Sequence, residues 1–217
     1  MRVHTFSGGA FGQNGYLAVC ESDGEAVVVD PGAAAAGMVR HLETVGTIPT
    51  AILLTHAHLD HIEGIATIRS DFPDVPIHLH PEDRPLYAAA PGQAAAFGYA
   101  MPDLPSPDHG LSVGDLITFG ACSFEVRHTP GHSPGHVILY AAAAGLALVG
   151  DVVFAGSIGR TDLPGGDFST LIASIRREVL TLPAETRLLP GHGEETTVAW
   201  EAQHNPFLIP YYGGELA

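Results

Sequence analysis

Four short apolar runs in this chain stop on side chains that ligate metals. Ala51-Ile52-Leu53-Leu54 runs into Thr55-His56-Ala57-His58-Leu59-Asp60-His61, and Phe124-Glu125-Val126-Arg127 leads to Thr129-Pro130-Gly131-His132. Leu146-Ala147-Leu148-Val149 stops at Gly150-Asp151, and Arg187-Leu188-Leu189 at Pro190-Gly191-His192. Apolar runs this short, bounded by Gly and Pro, read as buried strands. If those strands lie side by side, their ends form one rim, where open sheets place their sites. Any fold for this chain has to bring those ends together.

The rest of the pattern fits such a frame. Strands are expected at residues 16–20 and 26–29, the second ending on the turn Asp30-Pro31-Gly32, and a helix over 33–45 with Met38, Val39, Leu42 and Val45 on one face. Ile62, Ile65 and Ile68 fall at helical spacing after the His-rich loop, then come a strand at 75–79 and a short helix at 81–89. Residues 91–110 hold four prolines together with Phe97, Tyr99 and Met101, and read as a long irregular stretch, either a lid or a surface excursion. Strands resume at 116–119, 122–127, 137–140 and 146–149. Asp167 is placed to cap a helix carrying Phe168, Leu171, Ile172, Ile175 and Val179 on one side, followed by a strand at 187–189 and a helix near 194–203. Two β-rich halves, each followed by helices, predict an α/β (α+β) chain of stacked sheets covered outside by helices, in one domain over residues 1–217.

Composition narrows the chemistry. The 217 residues are 46% hydrophobic, enough for a substantial core. All nine cations are Arg, against 24 acidic residues, for a net charge of −15. With no Lys there is no P-loop, no kinase-type phosphate contact and no Schiff base. Nine scattered cations predict no nucleic-acid partner. No apolar stretch approaches the ~20 residues that span a bilayer, and residues 1–9 lack the apolar core of a signal peptide, so a soluble, cytoplasmic protein without a membrane partner is expected. Cys20 and Cys122 lack C-x-x-C spacing and read as buried thiols, with a disulfide as the alternative.

Thirteen histidines remain to be explained. His56 and His58 are two apart, so in extended backbone they face the same way and can share a metal, while Asp60 and His61 are free to reach a second. With His132, Asp151 and His192 the set numbers seven, too many for one tetrahedral zinc and suited to two ions sharing a bridge and a water. His78 and His80 also form an H-x-H, but in a plain strand with no partner nearby in sequence, and are set aside. His4, His41, His109 and His204 read as structural or exposed, and His128 and His136 as groups that could orient ligands.

These residues resemble the metallo-β-lactamase fold over nearly the whole chain. Thr129-Pro130-Gly131-His132-Ser133-Pro134-Gly135-His136 and Gly159-Arg160-Thr161-Asp162-Leu163-Pro164-Gly165-Gly166-Asp167 are similar to segments of the glyoxalase II (hydroxyacylglutathione hydrolase) group, especially its short bacterial members. The resemblance implies an αββα sandwich of two mixed sheets and hydrolysis of S-acyl glutathione thioesters, such as S-lactoylglutathione, through a metal-bridging hydroxide. It implies a first ion on His56, His58 and His132, a second on Asp60, His61 and His192, and Asp151 between them. Two divalent ions are expected, zinc first, with iron or manganese accommodated by the same ligands. Asp60 is the expected catalytic residue, orienting the attacking water. Arg160 is either a carboxylate clamp for a glutathione conjugate or a structural partner of Asp162 or Asp167. Larger glyoxalase II proteins add a C-terminal helical domain, whereas 25 residues follow His192 here. The alternatives are a persulfide dioxygenase with one iron on His56, His132 and Asp151, a general lactonase or β-lactamase-like hydrolase, and a non-catalytic metal-binding module.

Overall fold

The computed structural model describes residues 1–96, 98–99 and 101–209. Its first half is a six-stranded sheet in the order β1 (Arg2–Gly8), β2 (Gln13–Val19), β3 (Ala26–Val29), β4 (Ala51–Leu53), β5 (Ile77–Leu79), β6 (His109–Gly110). The first three strands pair antiparallel and the rest parallel. A second six-stranded sheet contains β7 (Leu116–Phe119), β8 (Cys122–His128), β9 (Val137–Ala141), β10 (Leu146–Gly150), β13 (Arg187–Pro190) and β14 (Thr196–Thr197). In it only β10 and β13 run parallel. A small hairpin, β11 (Val153–Phe154) and β12 (Ser157–Ile158), stands outside both sheets.

Strand alternation builds the layers. Along β2, Tyr16 and Ala18 point between the sheets, towards Phe124, Val126 and Leu148, while Leu17 points outward. The outward face of the first sheet is covered by α1 (Ala35–Val45), α2 (Leu59–Ile62), α3 (Ile65–Asp71) and α4 (Arg84–Ala96), through Met38, Leu42, Ile62 and Ile68. That of the second sheet, with Ile138 and Val149, is covered by α5 (Phe168–Ser174), its π turn Ile175–Val179, and α6 (Val198–His204). The result is the expected αββα sandwich of two mixed sheets. No described helix is long and apolar enough to cross a membrane.

The structure departs from the sequence reading in four places. β1 pairs with β2 over seven residues although its mixed, half-exposed pattern gave no strand signal. The helix expected through Ile62, Ile65 and Ile68 is two pieces, because Gly64 turns in to donate to the Pro31 carbonyl at 2.8 Å, a place where a Cβ would lie 2.2 Å from the Gly32 oxygen. The expected irregular stretch begins later, since α4 runs through Pro91 to Ala96. Proline removes one backbone hydrogen bond, but the alanine-rich sequence and the buried face of Tyr87, Ala90 and Ala94 keep the helix. Of the three apolar residues in that stretch, Tyr99 and Met101 pack against the first core, and Phe97 lies outside the described residues. Finally, Cys20 and Cys122 are joined in a disulfide and are not free thiols. Packing of the two sheets sets their Cα atoms 5.6 Å apart across a sequence separation of 102.

Candidate metal centre

The four strand ends do meet. His56 follows β4, and His58 caps α2, which carries Asp60 and His61. His132 sits in the loop between β8 and β9, pinned where Thr129 N–H donates to His136 O at 2.7 Å. Asp151 follows β10 and His192 follows β13. Asn14 and Tyr16 on β2 hold this last turn, the Tyr16 hydroxyl donating to Pro190 O at 2.6 Å. Gly191 has to be glycine, because a Cβ there would lie 2.2 Å from Asp151 Oδ1 and 2.5 Å from the His61 ring.

Among the described residues, three overlapping groups at this centre could hold a metal ion: His56, His58 and His132; Asp60, His61 and His192; and Asp30 with His56 and His61, every ligand atom within 4.8 Å of the others in its group; the first two are those the sequence predicts. Asp151 touches both groups, with Oδ2 3.5 Å from His132 Nε2 and 3.4 Å from His192 Nε2, and Oδ1 3.3 Å from His61 Nε2. Asp60 Oδ2 lies 3.2 Å from His192 Nε2. All seven sequence-predicted ligands are therefore together. His56 Nε2, His61 Nε2 and Asp151 Oδ1 are buried with no hydrogen-bond partner. Buried polar atoms without a partner are costly in a protein interior unless something else satisfies them, and these three, drawn from both groups and from the carboxylate between them, fit bound cations.

The remaining ring nitrogens are held from behind. His61 Nδ1 donates to Asp30 Oδ2 at 3.0 Å, His132 Nδ1 to Arg160 O at 2.7 Å, and His192 Nδ1 to Phe11 O at 3.0 Å. Such contacts fix ring orientation and leave Nε2 facing the centre. His136, read as an orienting group, accepts from Asp151 N–H at 3.1 Å.

Two carboxylates escaped the sequence reading. Asp30, in the turn after β3 with φ of 48°, accepts from the Thr55 amide and hydroxyl as well as from His61. Its only sequence signal was the turn Asp30-Pro31-Gly32. Asp83, fully buried, accepts from Ala57 N at 3.0 Å, Ser133 Oγ at 2.7 Å and Gly135 N at 2.6 Å. It thus ties the His56–His58 loop to the His132 loop, and nothing local in sequence marks it.

The protein's own electrostatics divide the two groups. Burial, then the His132 and His61 imidazoles, bring His58 down to about 3, and burial with its four neighbouring imidazoles holds His56 well below the ordinary range. These are neutral rings, the form that binds a cation. Burial would lower His192 as well, but hydrogen bonds to Asp151 and Asp60 raise it to about 10, and His61 is raised in the same way by Asp151 and Asp30. Burial pushes the Asp151 carboxyl up, and His61 and His192 more than offset it, leaving it well below the usual carboxylate range.

Above the centre lies a cleft of about 430 Å³ with apolar walls, Phe11, Leu59, Phe154, Ile158 and Leu163, and with Gln93 and Arg160 also lining it. The Arg160 guanidinium is mostly exposed and grips Asp162 twice, at 2.7 and 2.8 Å, the structural pairing that the sequence allowed. The four histidines read as structural or exposed pair with other rings: His4 with His41, His109 with His78, and His204 with Trp200.

Residues 8–192 match the family model for the Metallo-beta-lactamase superfamily. The chain is 40% identical over 197 residues to the "Probable metallo-hydrolase YqgX" of Bacillus subtilis, covering 90% of this chain and 92% of that one. It is 36% identical over 200 residues to the hydroxyacylglutathione hydrolase GloC of Haemophilus influenzae, covering 92% and 94%. Among solved structures it is similar to the BLEG-1 B3 metallo-beta-lactamase (39% identity, TM-score 0.88, 96% of this chain and 100% of that one). It is also similar to TTHA1623 in a di-iron-bound form (44%, 0.86, 94% and 100%). A family model spanning most of the chain, relatives matched over nearly their full length and a shared fold establish that this protein belongs to the metallo-beta-lactamase superfamily.

Proposed function

We propose that this protein is a binuclear metallohydrolase that cleaves S-acyl glutathione thioesters. The observation that carries the reading is Asp151, whose carboxylate reaches both groups of three ligands at once. A one-ion site on His56, His132 and Asp151 leaves the complete Asp60, His61 and His192 group without a purpose. His56, His58 and His132 would hold one ion, Asp60, His61 and His192 the other, and Asp151 both. Bound there, two divalent ions would lower the pKa of a water towards ~7 and polarise an acyl carbonyl.

The chain's own residues do the rest. Asp60 lines the cleft floor and is held below its ordinary value, despite burial, by His192 and His61, so it accepts a hydrogen bond from the attacking water and orients it. The apolar walls seat the acyl group and exclude bulk water. A departing thiol with a pKa of ~8.5 leaves as thiolate without a dedicated acid, and every His and Asp lining the described cleft is one of the seven candidate ligands, so thioesters suit the site better than amides. Arg160, on the rim, can exchange its exposed Asp162 partner for a glutathione carboxylate, because such exposed pairs contribute only ~0–1 kcal/mol. The relative named hydroxyacylglutathione hydrolase supports the substrate class, and the di-iron form of TTHA1623 supports two ions and makes iron a rival to zinc.

Elemental analysis of the purified protein, run beside S-lactoylglutathione hydrolysis and oxygen uptake with glutathione persulfide, tests this. About two ions per chain with thioester cleavage is the expected result. One iron per chain with oxygen consumption overturns it, and faster turnover of a lactone or β-lactam moves the substrate class.

A further inference from the structure

His80, set aside with His78 on sequence grounds, does acquire partners when the chain folds. It follows β5 and caps the short 3₁₀ turn Pro81–Asp83, where its Nδ1 accepts from the Glu82 N–H at 3.4 Å. His128 ends β8 in the other sheet. The two rings stack with centroids 4.3 Å apart and planes 12° from parallel, and Glu82 Oε2 lies 3.8 Å from His128 Nε2. One ligand atom from each of the three residues falls within 4.8 Å of the others.

The 3.8 Å between Glu82 and His128 is too long for a hydrogen bond, which needs about 3 Å, and near the ~3.4 Å edge of a tetrahedron around zinc with ~2.0–2.1 Å bonds, which the two stacked rings would complete by turning their edges towards a common ion. We propose that His80, Glu82 and His128 form a third metal site, separate from the catalytic pair, which takes a divalent first-row transition ion such as Zn²⁺ with water completing its shell. Two imidazoles and one carboxylate are the donor set of an open zinc site. Burial and the neighbouring His128 hold His80 below its ordinary value, so its ring is neutral, and coordination through Nε2 moves the ring proton to Nδ1 in exchange for the long 3.4 Å contact with the Glu82 N–H. Glu82 is exposed, which gives an ion access from solvent, and the chain's net charge of −15 draws cations towards it.

The site has a built-in connection to the fold. His128 Nε2 donates to the Pro134 carbonyl at 2.9 Å, so coordination through that atom moves the ring proton to Nδ1 and exchanges the carbonyl for the ion. Pro134 lies in the same loop as His132, and Glu82 is adjacent to Asp83. An ion here would bind the turn of one half to the strand end of the other.

The test is zinc uptake by the metal-loaded protein, followed by calorimetric titration with Zn²⁺ and by elemental analysis after removal of excess. The wild type is expected to bind about one more Zn²⁺ per chain than His80→Ala. Glu82→Gln, at an exposed position that leaves the fold intact, is expected to weaken that uptake about tenfold or more. Equal uptake by the wild type and both variants overturns the site, as does the absence of an additional ion in the wild type. Because the readout is a difference between variants, it does not depend on how many ions the catalytic centre holds.

Discussion

Replacing Asp83 by alanine should release one catalytic ion and spare the other. The Asp83 carboxylate accepts from Ala57 N, between His56 and His58, and from Ser133 Oγ and Gly135 N, on either side of Pro134 and next to His132. Alanine leaves three buried donors without an acceptor. Each stranded donor costs about 1–3 kcal/mol, and since the serine hydroxyl can turn to another partner, the two amides set the scale at about 2–6 kcal/mol. Burial already raises the Asp83 carboxyl above its ordinary value against the pull of those donors, so part of that loss is returned when the charge is removed. A net loss of about 2–4 kcal/mol is expected, which lowers Tm by roughly 4–16 °C in a chain of this size and leaves it folded. The diagnostic effect is selective. His56, His58 and His132 lose their common support, whereas His61 and His192 keep Asp30 and the Phe11 carbonyl. A chelator titration monitored by elemental analysis should show one ion weakened by about 10–100-fold and the other unchanged. Asp30→Ala, which removes support from His61 and from Thr55 beside His56, should weaken both ions. An Asp83→Ala protein that keeps both ions at wild-type affinity and melts within about 1 °C of wild type would refute the idea that this carboxylate carries the two loops.

Three further outcomes are expected. In chelator-stripped protein, His61 is raised by Asp151 and Asp30, and His192 to about 10 by Asp151 and Asp60, so the stabilisation from His192 is complete below about 6.5 and is lost as pH rises through about 10, with His61 acting in the same direction. Thermal melts of the stripped protein should therefore fall over that window while metal-loaded protein stays flat, and parallel pH profiles would contradict the assignment. Arg160→Ala should raise KM for glutathione thioesters more than for simple aryl esters, and equal losses on both substrates would count against a carboxylate clamp. Gly191→Ala places a methyl group against Asp151 and His61, and bound metal and thioester hydrolysis should drop together, with a wild-type ion content as the contrary result.

The seven candidate ligands were legible in the sequence because their signal is local: H-x-H-x-D-H is one loop, and the other three each follow a recognisable strand. Tyr16 to Val29 and Leu116 to Val126 were legible for the same reason, since their alternation and turn residues are close neighbours. What escaped depends on distant neighbours. β1 is defined by its register with β2 and not by its own mixed pattern. Asp30 and Asp83 look like ordinary turn residues until the loops they hold arrive from 25 and 52 positions away. His80 looked solitary because its partner His128 belongs to the other sheet. At Pro91, local preference pointed the wrong way, and packing of Tyr87, Ala90 and Ala94 decided the outcome.

The disulfide gives the sandwich a spine. β2 reaches Cys20 just before the turn into β3, which then runs towards Asp30 and the metal centre, and β8 leaves Cys122 on its way to His128 and His132. The covalent link therefore sits at the edge opposite the candidate metal centre, stitching the two sheets like the leaves of a book whose clasp would be the bound metal. Closing a loop of that length restrains the unfolded chain by about 4–5 kcal/mol in the chain-entropy picture. Opening the clasp alone lets the leaves part at one edge and close again in register, whereas chelator and reductant applied together set both edges free. A chelator alone should therefore leave the protein able to refold around added metal, whereas chelator with reductant should not.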